Sequence, residues 1–314
     1  MTSVLIRVLI LSLLMMCMLA PNALADQNRW QTARVGNMTQ FTYQYDDFSG
    51  RARQLSFMLN TRQLNAGSSQ FQTFDQDTME NYTMEYLQYY AAQMPGVSVS
   101  VDKIGDAISF HVLGPNEQAV QQTLAVMKAR NDEAQDQYLQ SKYFIKDTTG
   151  KYIMPDHIRI ALDYVAPMRP VAKAVSGAAA EKGPRGFLNE TLNFLQSIPF
   201  DTLQDRTTSN GSGFATPYGL LGMNKGDCDT KSVAMIAMAR ALYPNMPIAM
   251  IYTTNHAFVG FGVPAASGDR ILTIDRKVLV LAEPAGPGLF RLGRVGHESN
   301  ADLDKNYFSY VMVP

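Results

Sequence analysis

Residues 226–242 run Gly226-Asp227-Cys228-Asp229-Thr230-Lys231-Ser232-Val233-Ala234-Met235-Ile236-Ala237-Met238-Ala239-Arg240-Ala241-Leu242. From Ser232 onward almost every residue is small or apolar, with no Gly or Pro, which predicts a buried helix. Asp227 or Asp229 suits its cap, so Cys228 falls in or beside the first turn. Unpaired N–H groups and the positive end of the helix dipole at that position favour a thiolate over a thiol. The thiolate is the nucleophilic form. The two flanking carboxylates oppose this effect, so a further cation is needed, and an imidazolium would serve.

Working outward, His256 opens the run His256-Ala257-Phe258-Val259-Gly260-Phe261-Gly262. A strand starting there, after a strand over 248–252, would hold an imidazole rigidly beside the helix start. A strand-edge histidine satisfied by local hydrogen bonds is the plainer alternative. His157 and His297 are rival bases, each near turns with no evident relation to the Cys228 helix. An imidazole base works best when a third group fixes its tautomer and orientation. Glu283 closes the apolar run Val278-Leu279-Val280-Leu281-Ala282, where an acid is costly unless paired or exposed. Asp275 is the rival acid, at an expected hairpin turn with Arg276. Acyl transfer also needs donors for an oxyanion. The backbone N–H of Cys228 is one candidate. The amide of Gln196, in Phe194-Leu195-Gln196-Ser197-Ile198-Pro199-Phe200, is a second, set against the default of a surface Gln.

The order Cys, His, Glu, the Gly-Asp-Cys-Asp-x-Lys opening and the His256-Ala257-Phe258-Val259 strand together resemble the transglutaminase-like superfamily, especially its bacterial transglutaminase-like cysteine peptidase branch. The likeness runs from about Phe194 to Gly293, roughly a third of the chain. It implies a papain-like core, with the Cys at a helix N-terminus packed on an antiparallel sheet that carries the His and the acid. It also implies Cys228 as nucleophile, His256 as base, Glu283 as orienting acid and Gln196 as oxyanion donor. Two positions depart from the family pattern. Many relatives have Asp as the third member where this chain has Glu283, and Thr230 stands where an acid is common. Some exported members of the branch depend on calcium. Asp227 and Asp229 are hard oxygen ligands of the kind calcium takes, and helix capping accounts for them equally, so no metal site is assigned. No cofactor is expected.

The chain has 314 residues, 46% hydrophobic and 18% charged, an ordinary globular composition sufficient for one large or two medium domains. A formal net charge of −1 gives no overall basic character to suggest nucleic acid as a partner. Arg7, the apolar run Val8 to Leu19 and Ala23-Leu24-Ala25 form a signal peptide pattern over residues 1–25. Periplasmic residence with no stable membrane insertion follows as the expectation. Cys17 would leave with the signal and Cys228 would remain as the lone thiol, unable to form an internal disulfide in an oxidising compartment.

Residues 26–142 are expected to form a small α+β module. A hairpin lies over 39–60, a helix over Thr78 to Met94, alternating strands around Val97–Val101 and Ile108–Val112, and a polar helix over Asn116 to Gln140. Residues 143–186, broken by Pro155, Pro167 and Pro170, read as a connecting segment. The enzyme domain spans 187–314, and the fold class is α+β. The functional expectation is an exported cysteine peptidase or amidase acting on a protein or peptide through an acyl-enzyme on Cys228. Acyl transfer to an amine, a non-catalytic binding or assembly scaffold, and a cell-wall peptide hydrolase of the NlpC/P60 kind are the alternatives.

Overall fold

The computed structural model describes residues 27–314 apart from 106 and 148. The expected signal peptide lies outside the described residues. The chain is mixed α+β. It opens with β1 (Gln27–Val35), β2 (Met38–Asp46) and β3 (Ala52–Asn60), an antiparallel sheet in the order β1-β2-β3. The expected hairpin is β2–β3. Asp47 sets its turn by accepting the N–H of Ser49 at 2.8 Å and of Arg51 at 3.2 Å. Strict alternation puts Phe41, Tyr43, Tyr45, Leu55, Phe57 and Leu59 on one face, all buried. Thr42, Gln44, Gln54 and Ser56 take the other.

After α1 (Thr61–Ser68) come α2 (Gln76–Ala91), β4 (Ser98–Ile104), β5 (Ala107–Leu113) and α3 (Glu117–Ser141). Asp75 and Asn116 cap the two long helices by accepting the N–H of Thr78 and Ala119. The β4–β5 hairpin is a sheet of its own, and it closes with α2 and α3 around Leu87, Ala91, Val101 and Met127. The two hairpins of residues 26–142 therefore lie in separate sheets, because β1–β3 turn their aromatic face elsewhere.

That face meets the next part of the chain. A short hairpin of β6 (Phe144–Lys146) and β7 (Ile153–Pro155) leads into α4 (His157–Asp163), α5 (Val165–Ala178) and α6 (Gly183–Ser197). Residues 143–186, expected as a connector of short helical pieces and turns, carry α4, α5 and the start of α6, and Met168, Val171, Ala172 and Val175 of α5 are fully buried. Phe194 of α6 stands edge-on to Tyr43 with ring centroids 4.9 Å apart. Glu190 of α6, also buried, accepts from Tyr45 Oη at 2.8 Å and pairs with Arg53 at 3.2 Å. The N-terminal sheet and the helices share one core.

The final part holds α7 (Pro217–Met223), α8 (Cys228–Leu242), β8 (Ile248–Tyr252), β9 (Ala257–Phe261), β10 (Ile271–Ile274), β11 (Lys277–Ala282), α9 (His297–Asp304) and β12 (Ser309–Val313). The five strands form one antiparallel sheet in the order β10-β11-β9-β8-β12, and α9 is an element the sequence pattern did not suggest. Every residue from Val233 to Ala239 is 0% exposed, so α8 is enclosed on all sides, as its unbroken apolar run requires. It packs against α4, α5, α6, α7 and β9. Among the described residues no helix is long and apolar enough to cross a membrane.

Shared burial has a measurable consequence. Phe194→Ala is expected to cost about 3–5 kcal/mol, the range for emptying a buried aromatic site. Because Trp30 is the single tryptophan and packs on this core, its fluorescence and the far-UV helix signal should be lost in one coincident urea transition. Two separated transitions would show that the N-terminal sheet folds apart from α8.

Candidate active site

Asp227 is the N-cap of α8, its carboxylate accepting the Thr230 N–H at 3.1 Å, and Cys228 is the first helical residue. The thiol is free and half-buried. At this position the Cys228 N–H has no intrahelical acceptor.

His256 ends the β8–β9 turn, closed by the Thr253 N–H donating to the His256 carbonyl at 2.9 Å. Strands β9 and β11 are antiparallel neighbours, with Val259 opposite Ala282. That register sets Glu283, one residue beyond β11, beside the start of β9. The carboxylate Oε1 lies 3.3 Å from His256 Nε2, an ion-pair approach rather than an aligned hydrogen bond. The Oε2 atom accepts the Gly296 N–H at 2.8 Å and the Ser299 hydroxyl at 3.0 Å. Burial pushes Glu283 up, but the adjoining imidazolium and these two donors hold it below the usual carboxylate range. Burial works against charge on His256 as well. The neighbouring Cys228 thiol and the Glu283 carboxylate outweigh it and raise His256 to about 10. Three expected residues, Cys228, His256 and Glu283, are therefore brought together from a helix start, a turn and a strand end.

Gln196 is not free to join them. It is 1% exposed, and its amide Nε2 donates to the carbonyls of Glu283 at 2.7 Å and Phe290 at 2.9 Å. Its Oε1 accepts the Phe290 N–H at 3.1 Å. Both N–H donors are thus spent on backbone, and the side chain ties the end of α6 to the chain on either side of 284–289. The expectation of an oxyanion donor gives way to a strut beneath Glu283. Among the rivals, Asp275 occupies the β10–β11 turn at φ 48°, and His297 begins α9 on an exposed face.

His157 corrects a further expectation, because it is joined to the Cys228 helix. It begins α4, is 3% exposed, and places Nε2 3.0 Å from Asp229 Oδ2 and Nδ1 3.0 Å from the Tyr252 hydroxyl. Burial acts to raise Asp229, but His157 and a hydrogen bond from Asp227 hold it low. Burial and the neighbouring Asp229 push Asp227 up to about 10. Burial thus favours the neutral form of Asp227, while the Asp229 carboxylate faces an imidazole. The charge opposition that these acids pose in the sequence is largely relieved by their partners.

Lys231 was not singled out by sequence reasoning. It is 0% exposed, and its ammonium donates to the carbonyls of Ile198, at 2.6 Å, and Ala285. The signal was present: a lysine directly before a run expected to be buried must find acceptors if the burial extends to it. Beside the imidazole a cavity of about 910 Å³ opens, lined by Thr253, His256, Glu283, Phe290, His297 and Asp302 among others, though not by Cys228.

No family model matches the chain, and no curated protein or solved structure matches it.

The ion pair fixes a pH signature. His256 is raised from 6.5, so its stabilising contribution is complete below about pH 6.5 and is lost as pH rises towards about 10. Glu283 is lowered from 4.5, so its contribution is present above that value and is lost as pH falls through the depressed one. The stability difference between the wild type and Glu283→Gln should be widest between pH 4.5 and 6.5 and shrink steadily towards pH 10. Urea unfolding across that range tests this, and a difference that does not vary with pH would dissolve the pair.

Proposed function

We propose that the protein is an exported thiol hydrolase of transglutaminase-like, papain-like design that cleaves an amide bond in a protein or peptide. The observation that carries this reading is the convergence of Cys228, His256 and Glu283 at the start of α8. Nucleophile, base and orienting acid are the three parts that covalent acyl chemistry requires.

In the proposed reaction the Cys228 sulfur attacks the carbonyl carbon, forming a C–S bond and a tetrahedral oxyanion. Backbone N–H groups at the start of α8 are the donors for that oxygen, now that Gln196 is committed elsewhere. His256 gives its proton to the amide nitrogen as the C–N bond breaks and the amine leaves. Water then adds its oxygen to the thioester carbon and its proton to the imidazole. The C–S bond breaks, and the thiolate returns with release of a carboxylic acid. Glu283 keeps the imidazole in place and stabilises its charged form throughout. An amine taking the place of water would leave an amide cross-link instead. Residence in the periplasm rests on the signal pattern of residues 1–25.

Alkylation by iodoacetamide, followed at Cys228 by peptide mass spectrometry, tests the pair without a known substrate. At pH 7 the wild type should react readily, and His256→Ala should slow the reaction about tenfold or more. In parallel, cleavage of a denatured protein mixture, read by the appearance of new N-termini, should vanish in Cys228→Ala. Equal alkylation rates in the wild type and His256→Ala would replace the enzyme with a scaffold of the same fold.

A further inference from the structure

Lys231 lies one helical turn beyond Cys228 on the same face of α8, and no carboxylate lies within ion-pairing distance of it among the described residues. A wholly buried ammonium held only by neutral carbonyls is an expensive choice for a core position. An apolar residue would fill the space at less cost, so its polarity calls for an explanation in what it joins.

Its two acceptors answer that. Ile198 is the C-cap of α6, two residues past Gln196, and Ala285 lies two residues past Glu283. Gln196 spans the same two segments from the α6 side. Gly286 completes the seam, since its backbone comes so near α6 that a Cβ there would lie 2.6 Å from the Gln196 carbonyl oxygen. Lys231 is thus the tie between the helix that bears Cys228 and the segment that bears Glu283.

Resting on the thiol-enzyme reading above, we propose that Lys231 is a positioning residue of that site. Its ammonium locks the start of α8 to the end of β11 and stands as a buried positive charge behind the Cys228 sulfur. The titratable groups that act on it are Asp227 and Cys228, while α6 and the segment after β11 present carbonyl oxygens. Burial lowers Lys231 to about 7 against the attraction of those two groups, so the charge is held near the limit of what the site supports.

The test is the pH–rate profile of Cys228 alkylation in full-length wild type, Lys231→Met and His256→Ala, with thermal melts to confirm folding. Lys231→Met is expected to react about tenfold more slowly at pH 7 and to have its profile displaced to higher pH. A folded Lys231→Met with a profile within about twofold of the wild type, while His256→Ala is displaced, would overturn the role of Lys231 and leave the thiol–imidazole pair standing. Profiles unchanged in both variants would overturn both. Should Lys231→Met fail to fold, Lys231→Gln, which keeps N–H donors without the charge, carries the same comparison. Displacement of its profile supports the electrostatic role, and an unchanged profile removes it.

Discussion

Asp227 accepts the Thr230 N–H at the start of a helix whose middle is surrounded on every side, and much of the molecule follows from that cap. At this half-buried start the Thr230 N–H finds its acceptors within the chain, in the side chains of Asp227 and Asp229. The residues that supply them are acids, and acids in a dry place need partners of their own. Burial and Asp229 push Asp227 towards its neutral form, and Asp229 turns to His157, which in turn meets the hydroxyl of Tyr252. One capping requirement thus draws α4 and β8 to the beginning of α8.

The other side of Cys228 is arranged on the same principle. His256 and Glu283 face each other across the antiparallel step between β9 and β11, and Glu283 is further held by the backbone of Gly296 and by Ser299. Cys228 is next in the chain to Asp229, which pairs with His157, and is faced by the His256–Glu283 pair. The two pairs differ in what the imidazole can reach. His157 has both ring nitrogens engaged by Asp229 and Tyr252, whereas His256 is shared between its acid and the thiol beside an open cavity. Under the proposed reading one pair serves chemistry and the other offsets the charge of the capping acids.

Distance between these parts is controlled by side chains that touch none of the reacting atoms. Gln196 and Lys231 spend their donors on backbone carbonyls around residues 283–290 and 198, so α6, α8 and β11 meet at a hydrogen-bonded junction. The N-terminal sheet adds to this from outside, since Phe194, two residues before Gln196, is packed against Tyr43. A buried polar junction of this kind costs desolvation, and it specifies geometry in a way that apolar packing alone does not.

The sequence by itself determined the local elements. The unbroken apolar run after Cys228 required an enclosed helix, short apolar runs marked the strands around 248–283, and Asp227 or Asp229 offered the cap. It also held the candidate residues Cys228, His256 and Glu283, because residue type and position within an element are local properties. What lay beyond it was decided only by tertiary structure. Nothing in the order of residues says that His157 reaches Asp229, that both N–H groups of Gln196 are taken, or that Lys231 ends on two carbonyls. Nor does alternation in β2 and β3 say which surface their aromatic face will meet, and that face chose α6 over the neighbouring hairpin. The reason is physical. Periodicity reports which side of an element avoids water, whereas the partner of a buried polar group is set by whichever donor or acceptor the packed chain brings within about 3 Å of it.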